Sequence, residues 1–181
     1  MSIRNEWQKL VADGVLARLS PFIGDPAKRT VLMCPEVEEI INRPMEEGEE
    51  ANRRVRLLAK LQNIVAGRHL VVCMTPYDAR IANMGRLDPI EDCVWDIRCQ
   101  DEPAVRVFCY FLEKDVLLAV TAWPRSVRMR WLGWLPLGDR YSKQWKRGIR
   151  VAKRHWGMYF PAEKPVCGDN LDEYLSNATP E

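Results

Sequence analysis

The chain has 181 residues, 47% of them hydrophobic and 29% charged, with seven Trp, five Tyr and four Phe and a formal charge of only +2. So many aromatic side chains on a nearly neutral chain imply a real buried core and exclude global disorder. No run approaches the ~18 to 20 apolar residues that cross a bilayer, and MSIRNEWQKL holds no apolar signal segment, so the expected location is cytoplasmic, with no membrane partner.

Trp7, Leu10, Val11, Leu16 and Leu19 recur at three- and four-residue intervals, which predicts an amphipathic helix over Asn5 to Leu19 ending near Pro21 or Gly24. A connector follows. Pro35 then suits a first-turn position with Glu36, Glu38 and Glu39 near the positive end of a helix dipole, so a short helix is expected over Pro35 to Asn42, stopped by Pro44. From Met45 to Ala66 the spacing predicts a longer helix, acidic at its start, with Val55, Leu58, Leu61, Ile64 and Val65 on one face and Arg53, Arg54 and Arg56 on a solvated side.

Beyond Gly67 the pattern changes. His69 to Met74 reads as a short strand and Pro76 to Met84 as a helix. Three strands are then expected in quick succession, Cys93 to Cys99, Ala104 to Leu112 and Asp115 to Trp123. Their connections are too short for parallel crossovers, so an antiparallel meander is the economical topology. An irregular stretch with Pro, Gly, three Arg and two Trp leads into a basic helix over Tyr141 to Trp156, with Gly148 its weak point. The residues from Pro161 onward are polar and acidic and predict a loosely docked or flexible tail. The expected organisation is an N-terminal helical region (1–68), an α+β region (69–160) and the tail (161–181).

Charge is split along the chain. Residues 1–103 carry 14 basic against 17 acidic side chains, residues 104–160 carry 12 against 3, and residues 161–181 carry 1 against 5. A segment of net charge +9 favours polyanions, so RNA, DNA or an acidic protein become the leading ligands. The six cysteines form no CxxC pair and three lie in apolar runs, so they read as reduced, mostly buried thiols rather than a disulfide framework or a zinc knuckle. Phosphate-loop, GxGxxG, HExxH and GxSxG motifs are absent, and no cofactor or metal is implied.

Residues 78–87 (DARIANMGRL), Trp95-Asp96-Ile97-Arg98, Arg106-Val107-Phe108-Cys109-Tyr110, Val116-Leu117-Leu118 and Ala152-Lys153-Arg154 follow one another in an order and spacing that resemble the RelE/HigB-like toxin family over residues 70–160. In that family a W-E-x-R-like strand precedes an R-V-x-Y strand, a third strand and a helix bearing an Ala with basic neighbours. The resemblance implies a small curved antiparallel sheet of RelE-like type with helices against one face and a basic C-terminal helix. It also implies a metal-independent endoribonuclease that cuts mRNA, often on the ribosome, and is neutralised by an antitoxin protein. Carried onto this chain, it places Arg98 and Arg106 on the RNA phosphate, with Arg125 at a basic position of the active face. Trp123-Pro124-Arg125 replaces the family's usual Lys pair, and its C-terminal Tyr or His maps loosely onto Tyr141, His155 or Tyr159.

Cleavage through a 2′-hydroxyl needs a proton acceptor and cations around the phosphorus. Arg98, Arg106 and Arg125 are assigned to the charge, and Tyr141 or His155 to the proton. Arg128, Arg130, Trp131, Trp134, Lys143, Lys146, Arg147 and Arg150 are expected to bind RNA through phosphate contacts and stacking. Each assignment has a plainer alternative. Arg98 suits an ion pair with Asp96 or Asp101, Arg106 and His155 suit ordinary surface roles, and Trp131 and Trp134 suit a core or a protein interface. The rival reading is a non-catalytic RNA- or protein-binding module. The acidic stretch Glu46 to Glu50 is expected to cover the basic face and inhibit it.

Overall fold

The computed structural model describes residues 2–43, 48–76, 81–100, 104–124, 130–132, 135–137 and 143–181. Alternation of apolar side chains builds its centre. In β6 (Val105–Glu113), Val105, Val107, Cys109 and Phe111 point to one side, while Phe108, Tyr110 and Leu112 point to the other. Both sides are buried, so the strand reads as a nearly continuous apolar run. β6 pairs antiparallel with β5 (Trp95–Cys99) and with β7 (Val116–Pro124), giving the expected meander.

The sheet around that meander is larger and more varied than expected. It has eight strands in the order β1-β2-β7-β6-β5-β4-β3-β10 and is mixed, not purely antiparallel. Thr30–Met33, read as connector, is β2; it runs parallel to β7 and antiparallel to β1 (Ala17–Arg18). β3 (Leu70–Cys73) runs parallel to β4 (Met84–Arg86), which pairs antiparallel with β5. Residues 81–83 are not helical and Met84 opens a strand, so the helix expected to reach Met84 is corrected there; residues 77–80 lie outside the described part. β8 (Arg130–Leu132) and β9 (Leu135–Leu137) form a separate two-stranded pair.

Helices cover both faces. α2 (Pro35–Asn42) and α3 (Glu49–Val65) pack on one, where Val37, Leu57, Leu61 and Ile64 meet Val31, Ile97 and Leu117. On the opposite face, α4 (Lys143–Tyr159) presents Ile149, Ala152 and Trp156 to Leu32, Phe108 and Tyr110. α1 (Ile3–Ala12) packs there too through Trp7, Leu10 and Val11. It ends seven residues short of the predicted Leu19, whose neighbours Ala17 and Arg18 pair with β2. Trp7 Nε1 donates to Glu113 Oε1 at 2.9 Å, and the Arg4 guanidinium beside Glu113 holds its carboxyl below the usual range.

The tail is a second correction. Tyr174 and Leu175 are buried in the core, and β10 (Ala178–Pro180) adds a parallel edge strand to β3. A charged hub holds it. Arg29, buried beneath the tail, donates to the carbonyls of Arg68 (2.9 Å), Asn177 (3.2 Å) and Ser176, and its Nε pairs with Asp115 at 3.2 Å. Asp115 in turn accepts from the Ser176 amide at 2.8 Å and hydroxyl at 2.6 Å. Buried polar groups satisfied on every side are costly to break, so the last residues dock in spite of their polarity.

Cys93 and Cys167 form a disulfide across 74 residues of sequence, with Cα atoms 5.4 Å apart, which corrects the reading of all six cysteines as thiols. Cys34, Cys73, Cys99 and Cys109 lie outside that bridge and are buried, and burial pushes the Cys34 thiol up to about 12. Unfolding without reductant should therefore expose four alkylatable thiols, and six after reduction. Under oxidising conditions Cys167→Ser should lower stability by about 4 kcal/mol, the chain-entropy value for a loop this long, measured from denaturant midpoints. Six thiols without reductant would show the pair to be open.

Candidate functional site

The face under α4 gathers the polar side chains of the meander. Trp95, Ile97 and Cys99 point towards α3, so Asp96 and Arg98 point the other way. Arg98 stands directly opposite Arg106, and Arg106 opposite Trp123. Gly85, Asp96, Phe108 and Thr121 form the neighbouring row across four strands.

An irregularity in β7 aims the end of that strand. Leu117 and Ala119 face α3, and strict alternation would send Thr121 and Trp123 with them. The register shifts between Phe108 and Cys109, so one residue of β7 is extra and the phase reverses; Ala122 then packs on the α3 side and Trp123 on the α4 side. Bulges re-aim side chains in this way.

Asp96 is fully buried and binds both arginines. Arg98 Nε donates to Oδ1 at 3.0 Å and Oδ2 at 3.1 Å, while Arg106 Nη1 donates to Oδ2 at 2.5 Å. The two arginine side chains are only 10% and 14% exposed. The Arg98 guanidinium lies over Gly85, where a Cβ would stand 2.8 Å from its Cζ. Arg98 and Arg106 are adjacent across their strands; the ion pair with Asp96 that Arg98 suited is present, and Arg106 shares the same carboxylate.

Exposed cations lie beside this cluster on α4. Lys146, Arg147, Arg150 and Arg154 are exposed, and Arg147, Arg150, Val151 and Arg154 recur at helical spacing on one side. Together they line a hollow of about 420 Å³. The Arg147 guanidinium sits 5.3 Å from the centre of the Trp123 ring, within cation–π range. Trp123 Nε1 donates to Thr121 Oγ1 at 2.8 Å, and Thr121 donates onward to Glu36 Oε1 at 2.6 Å. Thr121 is buried, whereas Glu36, in the first turn of α2, is exposed. Sequence reading missed Gly85, Thr121 and Glu36, because only the register places them beside the cations.

His155 is on α4, eight residues and about 12 Å of helix rise from Arg147. Its ring leans on Tyr159 at 6.1 Å, and among the described residues its buried Nδ1 has no hydrogen-bond partner, so no bond joins that nitrogen to Arg98 or Arg106. Arg125, Arg128, Trp134 and Tyr141 lie outside the described residues. Arg130 and Trp131 belong to β8, and Lys143 opens α4; for these three only the backbone is described. Of the acidic stretch, Glu49 and Glu50 begin α3, on the face opposite α4, with Glu50 paired to Arg53 at 2.6 Å, so they do not cover the cations. Residues 44–47 lie outside the described part.

Among the described residues no cluster of His, Cys, Asp or Glu is arranged to hold a metal ion, and no helix is long and apolar enough to cross a membrane. No family model matches the chain, no curated protein matches its sequence, and no solved structure matches its fold.

The geometry gives two expectations. Removing Asp96 leaves two poorly hydrated guanidinium groups facing each other. Asp96→Ala should therefore cost about 3–5 kcal/mol, seen as a large fall in the denaturant midpoint, and an unchanged midpoint would mean that the cluster is solvated. Gly148 lies on the Phe108 ring, where a Cβ would collide with it. Gly148→Ala gains about 1 kcal/mol of helix propensity but overpacks at about 1–3 kcal/mol, so a net loss of stability is expected by thermal unfolding.

Proposed function

We propose that this protein binds single-stranded RNA along the α4 side of its sheet. The observation that carries the reading is Arg147 over Trp123 at the head of an exposed cation row on α4. Guanidinium groups supply phosphate contacts and a planar stacking surface, and an indole beside them supplies a second, the combination used by sequence-tolerant single-strand binders. The sequence after Trp123 carries three further arginines, Arg125, Arg128 and Arg130.

The fold is read here as RelE/HigB-like over residues 70–160. Support comes from the quoted motifs lying on adjacent antiparallel strands, with their polar members Asp96, Arg98 and Arg106 in one cluster. That support extends to a second reading, a metal-independent endoribonuclease of the toxin type, cytoplasmic and controlled by an antitoxin protein. Binding without cleavage is the better reading, because Arg98 and Arg106 already share a carboxylate and His155 stands apart from them. In either reading Arg98 and Arg106 shape the surface and Arg147, Arg150 and Lys146 meet the ligand.

The test is fluorescence anisotropy of a labelled single-stranded RNA with the full chain at several salt concentrations. Arg147→Ala/Arg150→Ala should weaken binding about tenfold or more and reduce the salt slope by about 1.4, two contacts at about 0.7 each. Equal affinity and slope in the double variant would remove this surface from the ligand. The same mixtures run on a denaturing gel separate the two readings: intact RNA supports binding alone, and fragments that vanish in the double variant support the endoribonuclease.

A further inference from the structure

We propose that Glu36 is a base-reading residue that selects unpaired guanine on the bound strand; the inference rests on the RNA-binding reading. An acidic side chain beside a surface that attracts phosphate weakens the attraction unless it meets a donor. Glu36 is placed for that. Its Oε1 accepts from Thr121, whose hydroxyl accepts from Trp123 Nε1, so the single Thr121 proton is committed to Glu36.

The relay runs in one direction, from the indole to the carboxylate, and Thr121 is fully buried. It therefore fixes one oxygen while the exposed remainder of the carboxylate is an acceptor only. Arg147 caps the other end of the same line by lying over Trp123. A base arriving beside Arg147 and Trp123 would present its Watson–Crick edge towards α2. Among the four RNA bases only guanine offers two adjacent donors on that edge, N1–H and N2–H, which match the two lone-pair sides of a carboxylate. Adenine and cytosine offer one amino group beside an acceptor, and uracil offers one imide proton between two acceptors. Each of these would leave an oxygen facing the carboxylate or a donor missing.

The experiment compares three labelled single strands of equal length that differ at one central position, guanosine, inosine or adenosine, in anisotropy titrations of the full chain. Inosine keeps N1–H and lacks the 2-amino group. Wild type should prefer guanosine over inosine by about tenfold, the loss of one hydrogen bond to a charged acceptor. Glu36→Gln keeps an oxygen for Thr121 and should abolish that preference, with adenosine-strand affinity unchanged or tighter because a negative charge is gone. A purely structural role for Glu36 would weaken all three strands alike and leave the preference intact, which overturns the inference. Absence of any guanosine preference in wild type overturns it as well, while RNA binding stands. Failure of wild type to bind any of the strands would instead remove the RNA-binding reading itself.

Discussion

Burial of the central strands on both faces is the constraint from which the rest follows. β6 and β7 are buried on both faces and β5 lies beside them under α3, so a charged side chain turned inward from these strands meets little water and must find a partner inside. Asp96 meets this requirement for two arginines at once, and Gly85 supplies the flat backbone on which Arg98 lies. The same constraint brings α4 down onto the sheet at Gly148, where the Phe108 ring fills the space a side chain would take. α4 in that position presents its basic side to solvent and sets Arg147 on Trp123.

The far end of the sheet uses the same solution with different groups. Arg29 is buried beneath the tail and is satisfied by Asp115 and by three backbone carbonyls. Asp115 adopts a positive φ of 61°, in the tight β6–β7 connection, and turns its carboxylate to the Ser176 amide and hydroxyl. One short connection thereby links the meander, the strand β2 beside it and the last strand β10. The Cys93–Cys167 bridge ties the same tail to the turn before β5. Glu181 adds a third tie, accepting from the amides of Ile81 and Ala82 at 2.6 and 3.1 Å.

What was legible in the sequence was what local pattern encodes. Alternation and short loops give β5, β6 and β7; Pro35 with its acidic neighbours gives α2; the spacing of Leu61, Ile64 and Val65 gives α3, although Leu57 and Arg54 are buried there and Val55 is exposed, against the expected face. What was not legible depends on pairing across long stretches of chain. Thr30–Met33 is four residues between a charged loop and a proline, and only its parallel match to β7 makes it a strand. Ala178–Pro180 is three residues long with no apolar alternation and becomes β10 through β3 and Arg29. A bridge between cysteines 74 residues apart carries no spacing signal. Arg98 and Arg106 were legible as neighbours, since both alternate with apolar residues on successive strands. For Arg98 an ion pair with Asp96 or Asp101 stood open beside a phosphate from outside, and for Arg106 a solvated place on the strand; the structure pairs both with the buried Asp96.

That pairing leaves the solvent-facing charge on the helix and not on the sheet. Asp96 offsets one of the two guanidinium charges, and the charge that remains sits on side chains almost closed to solvent, so the cluster meets an approaching phosphate less directly than the exposed cations of α4 do. Arg147, Arg150 and Arg154 face solvent along one side of α4, and their fields add there. The bulge in β7 matters for the same reason. Without its phase reversal Trp123 would pack towards α3, and Arg147 would project from α4 with no ring beneath it. With the reversal, the indole, the buried Thr121 hydroxyl and the Glu36 carboxylate fall in line with the cations, so one extra residue in one strand turns a basic helix into a surface with direction and polarity.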